Sequence, residues 1–305
     1  MLPAKDGWWS LPAQPGNNYH DNRTEPYGAL HAAVASMSRG PVSPADAIGF
    51  SNRSQIMRTC MSDGTLLSPD IPATALDSQL LKMALADKVD GPAGGTGGGV
   101  WATFTAIGHS GELQYDHVLV PLLEKAYTLT AEELWRHNAG RHGSNVHRHP
   151  SAAAAAAAHS DSASAGQRRF VVVENGAGGA RLHAGAELFG ADMPIMIAKT
   201  SRADFALYHT TPLLGNGWGF VGEMDKFVPV SSARVKTISS TETSIKVLLS
   251  GAPKEEVTLT FVNGNAPHVG DAGGKIPLVT VKCTFGEAGI LRATPEGCSS
   301  EAYIH

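Results

Sequence analysis

The chain has 305 residues and a formal net charge of −4 at pH 7. Hydrophobic residues make up 42% of it and charged residues 17%, which is typical of a globular protein. The slight acidic excess excludes the basic surface that nucleic-acid binding needs, and no apolar run reaches the length of a membrane span. We therefore expect a soluble protein whose partners include neither nucleic acid nor a membrane.

The most informative stretch covers residues 24–72. Its first part predicts a helix, because an apolar residue recurs every three or four positions from Tyr27 to Met37. Gly40 and Pro41 predict its end, with Gly40 in the left-handed conformation that follows many helices.

A carboxylate follows this helix at a position that suggests a site. Residues 42–45 predict a brief buried strand that carries Asp46 at its carboxyl end. A second helix is predicted with Ser51 as its N-cap, and it is predicted to close at the turn of residues 62–64. Helix, strand, carboxylate and helix follow one another as in a (β/α) unit, and in barrels built from such units polar residues at the strand ends line the site.

Two stretches resemble a known family. LHAAVASMSRGPVSPADAIGFSN, followed by MSDGTLLSPDIPA, is similar to the end of the catalytic barrel in raffinose synthases and related α-galactosidase-type glycoside hydrolases. GNGWGFVGEMDKFVPVSSARV, residues 215–235, resembles part of the β-domain that follows such barrels. The resemblance implies a mixed α/β segment, the remnant of the end of a (β/α)8 barrel, followed by antiparallel β-sandwich regions. It also implies a carbohydrate partner, either an α-galactoside or an oligosaccharide.

The resemblance further implies where the catalytic groups lie. Retaining glycosidases use two carboxylates about 5–5.5 Å apart, and in this family they come from earlier barrel strands than the one seen here. A complete barrel needs about 250 residues, whereas only residues 1–90 precede the first glycine-rich break. Glu223 and Asp225 would point to opposite faces of a strand and do not form such a pair. We therefore expect a C-terminal portion that lacks the catalytic carboxylates, is inactive alone and uses no cofactor or metal.

Three residues are candidates for sugar binding. Asp46 would accept hydrogen bonds from sugar hydroxyls, and a loop-ordering carboxylate is the alternative. The resembled family carries an acidic, aromatic-rich motif before the His-Ala-Ala helix. Tyr19 stands near the place of that acid, and Asp21 is the nearest carboxylate. His31 lies on or beside the apolar face of the helix, where a core or interface histidine is the alternative.

Composition and strand patterns divide the chain into regions. Residues 1–90 predict the end of the barrel, and GPAGGTGGG at 91–99 predicts a linker. Residues 100–235 predict an antiparallel β-domain with a disordered histidine- and alanine-rich insertion at 137–167. Residues 236–305 predict further strands of the same or a second sandwich. The β signal comes from short β-branched runs between Gly, Pro or Asn turns, such as RRFVVVEN, ADFALYH, SIKVLLS, VTLTFV and LVTVKCTF.

Histidine and cysteine positions bear on metal and redox chemistry. Five histidines of the insertion lack the cysteine or carboxylate partners of a zinc site, which favours a solvated loop; they are His137, His142, His147, His149 and His159. Three widely spaced cysteines predict buried free thiols rather than a disulfide framework; they are Cys60, Cys283 and Cys298.

A second class of function stays open beside the first. The strand-rich region is also typical of a non-catalytic β-sandwich that binds glycan or protein, with residues 1–90 as a helical annex. Trp101, Trp218 and Tyr208 would then stack on a sugar, and a place in the core is the alternative for each. The first residues, MLPAKDGWWS, carry no apolar signal core, so an intracellular location is the default expectation and the compartment stays unknown.

Overall fold

The structure is a computed structural model that describes residues 5–15, 24–85, 99–108, 111–139, 169–176, 185–267 and 275–300. The helices are α1 (Gly28–Met37), α2 (Arg53–Met57), α3 (Asp77–Leu85) and α4 (Ala131–Ala139). The strands are β1 (Thr74–Ala75), β2 (Gly99–Ile107), β3 (Leu113–Leu122), β4 (Tyr127–Leu129), β5 (Phe170–Gly176), β6 (Glu187–Phe189), β7 (Ile195–Ile197), β8 (Ala206–Pro212), β9 (Trp218–Gly222), β10 (Val235–Ser240), β11 (Ile245–Ser250), β12 (Glu256–Asn263), β13 (Leu278–Thr284), β14 (Ile290–Thr294) and β15 (Gly297–Ser300). The prediction of mainly antiparallel β structure is confirmed. None of the described helices is long and apolar enough to cross a bilayer.

A six-stranded antiparallel sheet forms the first half of the fold. Its strand order is β1-β2-β3-β8-β5-β6. We call the face of this sheet that packs on α1 the inner face; there Leu30 and Ala33 of the helix meet Leu119 and Leu207 of the sheet. Side chains alternate between the faces of a strand, so the opposite face carries other residues and packs on α4 through Leu134. A two-stranded ribbon of β4 and β7 lies beside this second core.

The second half is a sandwich of two antiparallel sheets, as the strand pattern predicted. One sheet has the order β13-β12-β9, and the other has the order β10-β11-β14-β15. Phe220 and Phe261 of the first sheet lie 5.2 Å apart between ring centroids and share a buried core with Val247 and Leu249 of the second. These alternating inward positions explain why SIKVLLS and VTLTFV were recognisable as strands.

A disulfide joins the two sheets of the sandwich, which corrects the prediction of three free thiols. Cys283 on β13 and Cys298 on β15 are bonded, with their Cα atoms 5.8 Å apart. The local sequence pattern does not predict this pairing, because the two strands belong to different sheets and become neighbours only when the sandwich closes. Cys60 is a buried free thiol, as expected.

Loss of the disulfide should destabilise the sandwich. The bond closes a loop of 15 residues, for which the chain-entropy estimate is about 3 kcal/mol. We expect Cys298→Ser to lower the free energy of unfolding by about this amount, measured by urea denaturation without reductant. Cys60→Ser, at the free thiol, is the cysteine control under reducing and oxidising conditions. An unchanged midpoint for Cys298→Ser would contradict a role for the bond in stability.

The segment from α1 to α2 shows three local departures from the sequence predictions. The left-handed residue after α1 is Arg39, with φ 62°, rather than Gly40. Helix α2 is capped by Asn52, whose Oδ1 accepts from the Gln55 amide at 3.2 Å, rather than by Ser51. Residues 43–45 are exposed, so the prediction of a buried strand there was wrong. They are nevertheless extended, since Pro44 forms a parallel β-bridge with Trp8.

Residues 57–70 contact the turn that leads from β9 to β10 through hydrogen bonds and a cation–π interaction. Lys226 Nζ donates to the carbonyls of Met57 and Cys60 at 2.8 and 3.1 Å. Arg58 lies over the Phe227 ring, 4.0 Å from its centroid, and Ser231 Oγ donates to the Ser68 carbonyl at 2.8 Å. Because these contacts link positions more than 150 residues apart, this early segment folds against the late sandwich.

Parts of the predicted domain division lie outside the described residues. These are residues 91–98 of the glycine-rich stretch and 140–167 of the insertion. The proposed boundaries therefore stay predictions. Within the described part, α1 shares its core with strands β3 and β8.

Candidate functional site

Asp46 anchors the loop on which a sugar site was predicted. Its Oδ1 accepts from the Ser10 amide at 2.7 Å and from Gln14 Nε2 at 2.9 Å. Its Oδ2 accepts from Ser10 Oγ at 2.6 Å. Gln14 also contacts the loop directly, since its Oε1 accepts from the Ala47 amide at 2.8 Å. The loop-ordering role, the alternative raised by the sequence, is therefore the one that these hydrogen bonds perform.

The loop that Asp46 orders presents two apolar side chains to solvent. Ile48 is fully exposed, and Phe50 is 44% exposed. Gly49 between them has φ 82°, a conformation that glycine adopts without strain. Two large apolar side chains at the tip of a hydrogen-bonded loop form a surface that another element could cover. We call residues 46–50 the Asp46 loop.

His31 lies apart from the Asp46 interactions. Its Nδ1 is 3.5 Å from Glu25 Oε2, and the ring is half-buried on α1. Burial lowers the pKa of His31, and attraction to Glu25 opposes that shift. The hydrogen bonds and ion pairs of His31 and Asp46 involve different residues, so the structure does not bring these two candidates into one site. The third candidate, Asp21, lies outside the described residues.

The three candidate stacking aromatics pack into the protein. Tyr208 is buried in the core beside α4, and Trp101 packs against the core beneath α1. Trp218 packs against the sandwich core, and its Nε1 donates to the Thr243 carbonyl at 3.0 Å. Core packing, the alternative stated for each of them, accounts for their positions.

A buried ionic cluster, which we call the Arg234 cluster, lies where the sandwich meets the early segment. Arg234 Nε donates to Glu223 Oε1 at 2.7 Å. Its Nη2 and Nη1 donate to the two oxygens of Glu255 at 2.7 and 2.8 Å. Glu255 also accepts from the Ser62 amide at 2.9 Å, so the cluster reaches the turn after α2. Gly222, with φ 98°, makes the bend that aims Glu223 inward; a Cβ there would lie 2.3 Å from the Pro229 carbonyl oxygen.

Electrostatics of the Arg234 cluster differ between its two carboxylates. Burial raises the pKa of Glu223, and attraction to Arg234 opposes the rise. For Glu255, burial also favours a higher pKa, but hydrogen bonds from Arg234, attraction to it, and hydrogen bonds from the Ser62 and Ala252 amides together lower the pKa. We infer a structural role, since both carboxylates are occupied by the guanidinium between them.

Two histidines meet inside the six-stranded sheet. His117 on β3 and His209 on β8 are cross-strand partners on the inner face, with their Nδ1 atoms 3.0 Å apart. Burial lowers the pKa of His117 to about 3, and the Val230 backbone opposes that shift. Burial, followed by repulsion from His117 and Arg58, places the pKa of His209 well below its usual value. Both rings are therefore neutral at pH 7, and we call them the histidine pair.

The predicted histidine-rich set is divided by the structure. His137 lies on α4 with its side chain buried, where Nδ1 is 3.2 Å from Asp77 Oδ1 and Nε2 is 3.4 Å from Thr74 Oγ1. The other four histidines lie outside the described residues. In the described part of the chain, no group of three or more histidine, cysteine, aspartate or glutamate side chains is placed to hold a metal ion.

Sequence reasoning missed the Arg234 cluster and the histidine pair for the same reason. Glu223, Arg234 and Glu255 come from three separate segments, and His117 lies 92 positions from His209. A usable signal did exist for the histidines. Both occur inside strand-like apolar runs, HVLVPLL and ADFALYH, where a polar side chain on a covered face calls for a partner.

Comparisons with known proteins were made for the whole chain. A scan against models of protein families found no match. A search of curated protein sequences found no significant match either.

Proposed function

We propose that this chain is the closing part of a carbohydrate-active barrel protein of the α-galactosidase and raffinose synthase type, together with the β-domain that follows it. In this proposal the catalytic carboxylates lie outside the chain, and the parent activity is hydrolysis or transfer of a glycosidic bond. The Asp46 loop is the part of the barrel rim that the chain retains.

The observation that carries this proposal is the parallel pairing that precedes Asp46. The Trp8 amide donates to the Ser43 carbonyl at 3.2 Å, and the Ala45 amide donates to the Trp8 carbonyl at 2.8 Å. Parallel neighbours are the rule in a (β/α)8 barrel, whereas the sheets described above are antiparallel. A parallel bridge, a carboxylate just after it and a capped helix then follow in the order of a barrel unit.

The exposed tip of the Asp46 loop supports the same proposal. Ile48 and Phe50 are exposed although the loop itself is held by several hydrogen bonds. An ordered loop with uncovered apolar side chains fits a surface that packs against further chain or a ligand. Asp46 retains acceptor capacity beyond its three donors, because each carboxylate oxygen offers about two lone pairs.

Activity and sugar binding test the proposal separately. The purified chain should release no more p-nitrophenol from p-nitrophenyl α-galactoside than a blank, because the two carboxylates of a retaining glycosidase are missing. Saturation-transfer difference NMR with methyl α-galactoside should give a signal that weakens at least several-fold in Asp46→Asn. Asp63→Asn, an exposed carboxylate on the turn after α2, is the matched control and should keep the signal.

Two outcomes would contradict the proposal. Turnover well above the blank would show that the chain has its own catalytic groups. A binding signal of equal strength in the protein and in Asp46→Asn would remove Asp46 from the sugar site. Circular dichroism of Asp46→Asn establishes that the variant is folded, since this carboxylate also orders its loop.

A β-sandwich binding module is the second candidate. The closed sandwich with its disulfide between sheets favours it, because such a unit is a self-contained scaffold for loops. Glycan binding that persists in Asp46→Asn would favour this function over the first. Point variants test it better than deletion of residues 1–90, because deletion would remove the backbone groups of Met57 and Ser62 that Lys226 and Glu255 contact.

A further inference from the structure

The sequence contains two tripeptides of the form that accepts an N-linked glycan, which is asparagine, any residue except proline, and then serine or threonine. They are Asn22-Arg23-Thr24 and Asn52-Arg53-Ser54. Asn22 lies outside the described residues, whereas the whole second tripeptide is described and lies at the start of α2. We call this second tripeptide the Asn52 sequon, and its surroundings can be compared with what a glycan requires.

The Asn52 sequon lies on the surface of the protein. Arg53 and Ser54 are exposed, and no residue of α2 is buried. On the N-terminal side, residues 48–51 are all exposed as well. A bulky polar group on this stretch would therefore extend into solvent and would not displace a packed side chain, as an N-linked glycan on a folded protein requires.

The side-chain amide of Asn52 is engaged at its oxygen and accessible at its nitrogen. Oδ1 accepts from the Gln55 amide at 3.2 Å and caps α2, while the Asn52 backbone amide donates to Ser10 Oγ at 2.7 Å. Within the part of the chain that the structure describes, Nδ2 donates no hydrogen bond and is not one of the buried polar atoms that lack a partner. Because a glycan is joined to asparagine through Nδ2, the linkage would leave Oδ1 free to keep the helix cap.

The disulfide between β13 and β15 is an independent indication of the compartment in which the chain folds. Cys283 and Cys298 are bonded, and such bonds form and persist in oxidising compartments but are rare in the cytosol. The lumen of the endoplasmic reticulum is one such compartment, and it is also where asparagine receives its glycan. Cys60 is buried and presents no thiol to other chains there. The disulfide thus favours the secretory pathway over the intracellular location expected by default from the sequence.

We propose that Asn52 is an N-glycosylation site of a chain that folds in the endoplasmic reticulum. The co-reactant is an oligosaccharide carried on a lipid diphosphate. Nδ2 of Asn52 forms a bond to the anomeric carbon of the first sugar and loses one proton, while the bond from that carbon to the diphosphate oxygen breaks and the lipid diphosphate leaves. Ser54 supplies the hydroxyl that the sequon requires at its third position. This inference depends on the Asn52 sequon and the disulfide and not on the sugar chemistry proposed for Asp46.

Peptide mapping of the protein purified from its natural source tests the proposal. Peptide-N-glycosidase in heavy-oxygen water converts a glycosylated asparagine to an aspartate that carries the heavy isotope, so mass spectrometry identifies the residue that bore the glycan. We expect the heavy aspartate at position 52, in the tryptic peptide of residues 40–53. Recovery of this peptide with an unmodified Asn52 would overturn the proposal, whatever the state of Asn22.

Secreted expression of the full chain in eukaryotic cells provides a second measurement. Ser54→Ala removes the sequon but keeps Asn52 and its cap, and it should abolish the glycan at Asn52. Thr24→Ala removes the other sequon and is the matched control, which should leave the Asn52 glycan in place. The glycan is added to the nascent chain, so a variant that fails to fold still gives a result in whole-cell lysate. No glycan at Asn52 in the unaltered chain, or an equal amount in Ser54→Ala, would contradict the proposal.

Discussion

Replacing Arg234 with alanine is expected to lower the free energy of unfolding by about 3–5 kcal/mol, the usual effect of removing one partner from a buried ion pair. Arg234 is 1% exposed and donates five hydrogen bonds to Glu223, Glu255 and the Ser250 carbonyl. Its removal leaves two carboxylates of like charge away from water. The loss therefore combines missing hydrogen bonds with the cost of unpaired buried charge.

The variant Arg234→Lys separates the contribution of the positive charge to stability from that of the guanidinium geometry. Lysine keeps the positive charge but has no planar fork that reaches two carboxylates at once. We expect it to restore only part of the stability lost in Arg234→Ala. Glu223→Gln, which removes one charge and keeps the shape, should cost less than Arg234→Ala, because burial already opposes ionisation of Glu223.

The matched control for the first prediction is an exposed arginine. Arg136 pairs with Glu132 one turn away on α4, and both side chains are more than half exposed. Arg136→Ala should cost only about 0.3–0.5 kcal/mol. The free energies of unfolding are measured by urea denaturation at pH 7. The midpoints of the variants can be compared when the free energy of unfolding depends on urea concentration with the same slope in each of them. A loss below about 1 kcal/mol for Arg234→Ala would contradict the role assigned to the cluster.

Strand positions were predictable because their signal is local. RRFVVVEN overlaps β5, ADFALYH overlaps β8 and SIKVLLS contains β11, and each is a short β-branched or aromatic run between turn residues. The start of α4 was also readable. Thr130 Oγ1 accepts from the Glu133 amide at 3.2 Å, which is half of the capping box that a threonine three residues before a glutamate favours. The Glu133 carboxylate accepts from the Tyr127 hydroxyl instead of completing the box.

Contacts that depend on how the sheets close were not predictable from local pattern. Cys283 and Cys298 meet only because β13 and β15 are edges of facing sheets. The same holds for the inward faces of helices. Leu76 is fully buried, whereas Leu80 on α3, an apolar residue four positions later, is 50% exposed. Periodicity shows that a helix has two faces, but only packing decides which one is covered.

The Asp46 loop shows how much of a site one sequence can reveal. Its carboxylate was predicted to follow a brief buried strand; the residues before it are extended, with a parallel bridge at Pro44, but they are exposed. Its partners, Ser10 and Gln14, were not foreseen because they lie in a stretch without helix or strand pattern. The sequence around a polar loop residue does not indicate which distant backbone groups that residue will bind.

Acidification is expected to unfold this protein through the histidine pair. In the unfolded chain each histidine binds a proton with a pKa near 6.5, whereas in the folded protein burial lowers the pKa of His117 to about 3 and that of His209 well below 6.5. The unfolded state therefore binds more protons below pH 6.5. Stability is fully present above this pH and is lost as the pH falls towards the folded pKa values.

The size of the effect follows from the proton count. Two extra protons in the unfolded state give a slope of about 2.7 kcal/mol per pH unit once the pH is well below 6.5. His31, whose pKa is also lowered by burial, adds in the same direction. Glu223 acts in the opposite direction, because burial raises its pKa and the folded state therefore binds its proton more tightly than the unfolded state does. Urea midpoints measured across this window therefore report the histidines together with this opposing carboxylate.

Replacing both histidines of the pair separates their contribution to the pH dependence of stability from that of the other titratable groups. In the double variant His117→Gln and His209→Gln the slope between pH 6.5 and 5 should fall by most of the two-proton value, whereas His31→Gln should change it by less. If the double variant does not fold, NMR titration of the unaltered protein decides instead. The Hε1 resonances of both rings should stay unshifted down to pH 5, and a titration of either near pH 6.5 would contradict their burial as a neutral pair.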